Sequence, residues 1–171
     1  RGRWDVAAVA FQEVLARAHD RDCNNRRYAQ LGLALIAVDR GQRLGADAVP
    51  EPTMCDLPPT AQEVIAVWDR GRASGQAADL AIARRWLAAA ARGDARTQGL
   101  AAVIGQVIAE DADATRALAA IAVAEDEEAA AVRAWGFAIV IDRLAARAAW
   151  SDAVAVMSRE VGVAPPTACA L

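Results

Sequence analysis

The stretch that decides the fold is "RGRWDVAAVAFQEVLARAHD", Arg1 to Asp20. Val6, Val9 or Ala10, Val14 and Leu15 recur at steps of three and four residues, which predicts one apolar face of a helix from Asp5 to about Ala18. The same grammar returns late in the chain as "RAAWSDAVAVMSREV", Arg147 to Val161. Each copy sets an Arg three residues before a Trp, an Ala three residues after it, and a large apolar residue four further on. These are Trp4, Ala7 and Phe11 in the first copy and Trp150, Ala153 and Met157 in the second. An aromatic at a helix start covers the corner between two helices, the small Ala lets a neighbour approach, and the large residue one turn on fills the gap. On this reading the first stretch is the second helix of a hairpin.

Composition agrees with a helical chain. The 171 residues are 56% hydrophobic but only 5% aromatic, so the apolar content is carried by Ala, Leu, Val and Ile in text rich in Arg and Glu. Ala, Leu, Arg and Glu lose little rotamer freedom in a helix. The length suits one domain with a full core. All 19 basic residues are Arg, scattered and outnumbered by 22 acidic ones, and the net charge of −3 argues against a dedicated nucleic-acid surface. Cys23, Cys55 and Cys169 are odd in number and widely spaced, with no C-x-x-C pair, so reduced thiols and a cytoplasmic setting are expected. The most apolar region, Gly99 to Glu128, is interrupted by Glu110, Asp111 and Asp113, and no membrane span is expected.

Outward from the first stretch, "HDRDCNN" (His19 to Asn25) is a turn and a second helix is predicted over Arg26 to about Leu44. The connection "GADAVPEPTMCDLPP", Gly45 to Pro59, holds four of the six prolines and must be irregular, because proline fixes φ and has no N–H. Thr60 and Glu63 then form a capping box that starts a third helix at Ala61 and carries it to about Arg72. A fourth helix runs through Trp86 to Arg92, with Gly93 expected in the left-handed conformation at its end. A fifth spans Ala95 to Ala109 under Asp94 or Thr97, and a sixth Ala112 to Val123 under Asp111. The seventh covers Glu127 to about Ala148 behind the acidic Asp126 to Glu128, where the helix dipole favours negative charge. A last helix is predicted from Ser151 to Val161.

"YAQLGLALIAVDRG", Tyr28 to Gly41, pairs Leu31 with Gly32 and adds Leu35 one turn later, and "RAWGF" places Gly136 after Trp135. Together with the Trp-Ala-Phe spacing these residues resemble the tetratricopeptide repeat family, in which a helix with a Leu-Gly pair precedes a turn and a second helix. The interval from Ala61 to Ala95 is 34 positions and that from Ala95 to Glu127 is 32, close to the roughly 34-residue period of that family. The Pro-rich connection, the missing Leu-Gly pair in the Ala61 to Gly93 unit and the long seventh helix depart from the pattern. The resemblance implies helical hairpins stacked as a repeat; a closed helical bundle is the alternative.

Chemistry-bearing motifs are sparse. His19 is the only histidine; Asp20, Asp22 and Cys23 lie near it, but no second pair completes a zinc set and no nucleophile is placed beside it. The acidic clusters Ala109 to Asp113 and Ala124 to Glu128 fall at helix junctions, where capping explains them. "TQGLAAVIGQVIAEDADATRAL", Thr97 to Leu118, has a helix-turn-helix flavour, yet Asp111 and Asp113 would face phosphate. No phosphate-cradling Gly loop is present.

These readings define an all-α fold of seven or eight antiparallel helices in one domain, residues 1–171. The expected function is a protein-interaction module or scaffold holding a peptide or protein partner, a second copy of the chain among the candidates, with Arg27, Tyr28, Gln30, Trp68 and Arg133 as partner-binding residues. No catalytic residue, metal or cofactor is assigned, and nucleic acid and membrane are not expected partners. The competing reading is an all-helical small-molecule regulator or an enzyme with an enclosed pocket, lined by Trp68, Trp86 or Trp135.

Overall fold

The computed structural model describes residues 2–19, 22–45, 47–123 and 126–158. Among these the chain is all-α, with eight helices and no strand: α1 (Gly2–Arg17), α2 (Cys23–Asp39), α3 (Ala61–Ser74), α4 (Ala77–Ala90), α5 (Ala95–Ile108), α6 (Ala114–Ala119), α7 (Glu127–Ala146) and α8 (Trp150–Val156). They gather into two compact units, Arg1–Gln98 and Gly99–Leu171.

In the first unit α1 and α2 form an antiparallel hairpin. Asp5 near the start of α1 pairs with Arg40 just past the end of α2, and the Phe11 ring meets Tyr28 edge-on at 5.7 Å between centroids. The close approach depends on Gly32, since a Cβ there would collide with the Phe11 ring. The Leu-Gly pair of the sequence is thus a contact between α1 and α2, in a hairpin of which α1 is the first helix and not the second; Arg1 and Asp20, the limits of the stretch, lie outside the described residues.

The predicted apolar face of α1 is corrected. Val6 is 73% exposed and Val9, Ala10 and Val14 are exposed too; of the predicted face only Leu15 is half-buried, together with Ala7 and Phe11. The residues of α1 that pack are those on the side of Phe11, because the ring needs the gap over Gly32. α2 ends at Asp39 rather than Leu44: Gly41 takes φ +93°, which stops the helix, and Leu44 is fully buried in the connection that follows.

α3 begins where predicted. The Thr60 side chain accepts from the Glu63 N–H at 3.2 Å and the Glu63 carboxylate accepts from the Thr60 N–H at 2.8 Å, so the capping box is complete. Gly75 closes α3 in the left-handed conformation at φ +65°. The same role expected of Gly93 is not taken there; Gly93 instead sits against Pro58 and Thr97, where a Cβ would lie 2.9 Å from each. α4 turns back onto α3 so closely that a Cβ on Gly71 would come within 2.9 Å of the Asp79 carbonyl oxygen. Val64, Val67, Trp68, Ile82, Ala83 and Trp86 form the core between them.

The Pro-rich connection is held at several points. Val49, Pro52 and Pro59 are buried, Glu51 pairs with Arg85 at 3.0 Å, and Cys55 is joined to Cys23 at the first residue of α2 by a disulfide. The disulfide corrects the expectation of reduced thiols: the two cysteines are 32 positions apart in sequence but 5.6 Å apart at Cα, a pairing that spacing alone could not identify. Cys169 lies outside the described residues.

α5 starts under Asp94, whose carboxylate accepts from the Thr97 N–H at 2.8 Å. That bond, with the Thr97 hydroxyl and nearby Arg96, holds the Asp94 carboxyl below its ordinary range. In the second unit, Val107, Ala114, Leu118, Phe137 and Val156 make the core. Gly136 admits Leu118, which would collide with a Cβ there. α6 is shorter than predicted, six residues from Ala114, with Asp113 rather than Asp111 at its start. Asp126 caps α7 by accepting from the Ala129 N–H at 2.9 Å. The last helix is described to Val156, and the predicted remainder from 159 lies outside the described residues.

Candidate partner-binding groove

One concave site of the first unit is lined by one ridge from each of three helices. α2 forms its floor and both α1 and α3 pack on α2. Trp4, Ala7 and Phe11 of α1 line one side, Tyr28, Leu31, Gly32, Leu35 and Ile36 of α2 the base, and Gln62, Glu63, Ala66 and Arg70 of α3, with its cap Thr60, the other side. Each set repeats at three or four residues, so each helix presents one ridge to the same trough. The trough encloses about 340 Å³.

The lining is apolar with an aromatic wall. Tyr28 is 59% exposed and Trp4 43% exposed, and both flank a base in which Leu31 and Ile36 are buried. Large aromatics are adaptable contact surface at little cost in rotamer freedom, and Tyr and Trp are enriched where partners anchor.

Beneath one end lies an ionic cluster that is fully internal. Arg27 is 3% exposed; its guanidinium donates to the Leu57 carbonyl at 2.7 Å, the Pro58 carbonyl at 3.2 Å and the Glu63 carboxylate at 3.2 Å. Glu63 therefore serves two masters, capping α3 and balancing Arg27. A buried pair of this kind is tolerated because carbonyls and backbone donors replace the lost hydration. At the other end of the trough, Arg70 donates to Asp39 at 3.2 Å, both side chains about one quarter exposed.

Of the residues expected to bind a partner, the structure brings only Tyr28 to the trough. Arg27 is engaged inside the fold, where it ties the Pro-rich connection and α3 to α2. Trp68 is buried in the α3–α4 core. Gln30 is half-buried on α2 and does not line the trough. Arg133 belongs to the second unit, where its guanidinium lies over the Phe137 ring at 5.8 Å from the centroid. Phe11, Leu35, Gln62, Ala66 and Arg70 line the trough without a binding signal of their own in the sequence. The i, i+4, i+8 spacing of Gln62, Ala66 and Arg70 could have revealed one ridge, but not that it faces the α1–α2 hairpin.

Among the described residues no group of three His, Cys, Asp or Glu side chains is placed to hold a metal ion, and no helix is long and apolar enough to cross a membrane. Comparisons with protein-family models, with curated proteins and with solved structures return no match.

Proposed function

We propose that this chain is a protein-interaction module that receives apolar side chains of a peptide or protein partner in the trough between α1, α2 and α3. The observation that carries the reading is the pair of exposed aromatics, Trp4 and Tyr28, beside an apolar base. The resemblance to tetratricopeptide repeats, in which helical hairpins hold peptide segments, supports the same reading. The alternative, a small-molecule regulator or enzyme, draws on the trough's volume, which falls at the small end of the roughly 300–1,000 Å³ of ligand sites.

A backbone-amide NMR titration with a panel of apolar peptides and of small apolar compounds tests both. Peptide-induced shifts clustered on Trp4, Phe11, Tyr28, Leu35 and Ala66 are expected, and Tyr28→Ala should weaken that peptide about tenfold, the scale of an interface anchor. Shifts produced by the compounds alone would transfer the site to the alternative reading. The cytoplasmic setting expected from the sequence and the disulfide pull in opposite directions, because cytosolic glutathione and thioredoxin keep thiols reduced. Free-thiol titration of protein prepared in reducing and oxidising compartments separates them.

A further inference from the structure

We propose that the occupant of this trough is an amphipathic helix that lays about two turns along α2 and brings a carboxylate to Arg70; this rests on the interaction reading above. The length comes from the base, where Tyr28 to Ile36 spans about 12 Å at 1.5 Å per residue, two turns of a helix seated beside α2. A partner helix fills that length with three apolar side chains spaced three and four residues apart.

Hydrogen bonding selects a helix over an extended segment. A strand crossing the same distance lays down roughly four residues at about 3.3 Å each, and every residue carries a backbone donor and acceptor. The trough has little to offer them. The Glu63 carboxylate is engaged by Arg27 and by the Thr60 N–H, and the Thr60 hydroxyl already accepts from the Glu63 N–H. Gln62, Arg70, the Tyr28 hydroxyl and the Trp4 indole N–H are the polar groups left, four side chains against the roughly eight backbone donors and acceptors of such a segment. Each backbone group buried without a partner costs about 1–3 kcal/mol, whereas a helix arrives with its backbone bonds made. Sheet-edge addition is closed as well, since the described residues contain no strand.

Charge completes the assignment. Both ionic groups lining the trough are paired, Glu63 with Arg27 and Arg70 with Asp39, but Glu63 is buried whereas the Arg70 side chain is about one quarter exposed, so Arg70 is the one that a partner can reach. Its described bonding is one contact to Asp39, and a guanidinium has five N–H donors, enough to hold a second carboxylate in a forked geometry.

The probe is a synthetic helix of about sixteen residues, conformationally stabilised, with leucines spaced three and four residues apart and a glutamate one turn beyond each end leucine. A second peptide has the same side chains with the helix broken by two D-residues, and a third carries arginines for the glutamates. Fluorescence anisotropy should show the helical acidic probe binding at least about tenfold more tightly than either control. Arg70→Gln should erase the preference for the acidic over the basic probe, and Arg70→Glu should reverse it, with circular dichroism of both variants unchanged. Equal binding of the broken-helix peptide would overturn the helical occupant while leaving an interaction module standing. A preference for the acidic probe that survives Arg70→Gln would overturn the role of Arg70. Binding of none of the three peptides would overturn the interaction reading together with the proposal.

Discussion

Single side chains in this protein carry unequal burdens, and Arg27 carries the largest that the described residues show. It is a cation buried at the junction of α2, the Pro-rich connection and α3, whose two terminal nitrogens donate to two carbonyls and the Glu63 carboxylate. Arg27→Met leaves Glu63 buried without its counter-charge, and the expected loss is about 3–5 kcal/mol in chemical denaturation. Adding Glu63→Gln, which keeps an acceptor for the Thr60 N–H without the charge, should recover much of that loss. Strict additivity of the two changes would refute the pairing. A smaller, pH-bound effect belongs to Asp94. Its carboxyl is depressed in the fold by the Thr97 N–H, so its contribution is present above its unfolded pKa and disappears as pH falls through the folded one. Asp94→Asn should therefore narrow the difference in stability between neutral and acidic solution, measured as denaturation midpoints across the acid range.

At the scale of elements, the closest helix contacts are made through glycine. Gly136 on α7 faces Leu118 on α6, whose side chain is fully buried and has no room to retreat. Gly136→Ala gains helix propensity of roughly 1 kcal/mol. Overpacking against Leu118 costs about 1–3 kcal/mol and should win. Pairing it with Leu118→Ala should make the glycine change nearly neutral, a coupling that a double-mutant cycle reads directly. Thr60→Ala should cost about 1 kcal/mol through loss of the α3 cap. Part of this level was legible in the sequence, because caps are local: Thr60 with Glu63 and Asp94 announce what they do within one turn, whereas Gly93 does not take the left-handed conformation and Asp113, not Asp111, starts α6. The face of α1 was not legible. The stripe of Val6, Val9 or Ala10, Val14 and Leu15 is as periodic as that of Ala7, Phe11 and Leu15, and only the gap above Gly32 decides which one packs. The trough was hidden for the same reason, being assembled from three ridges whose mutual facing is a tertiary fact.

The first unit as a whole is bound together by a covalent and a non-covalent tie to the same connection. The disulfide closes a segment of 32 positions, for which loop-closure entropy gives a ceiling of about 4 kcal/mol. Replacing Cys23 and Cys55 by serine, with Cys169 also replaced to prevent exchange, should lower stability by about 2–4 kcal/mol in denaturant titration. No change would mean that the bond does not constrain the unfolded chain. The Arg27 tie lies two and three residues beyond Cys55, on the carbonyls of Leu57 and Pro58. Opening the disulfide therefore slackens the chain only up to Asp56, while Arg27 still fixes the approach to Thr60 and α3. The trough is thereby buffered against its chemical surroundings: a thiol-rich milieu would soften the connection ahead of Leu57 while Arg27 keeps α3 in register with α2.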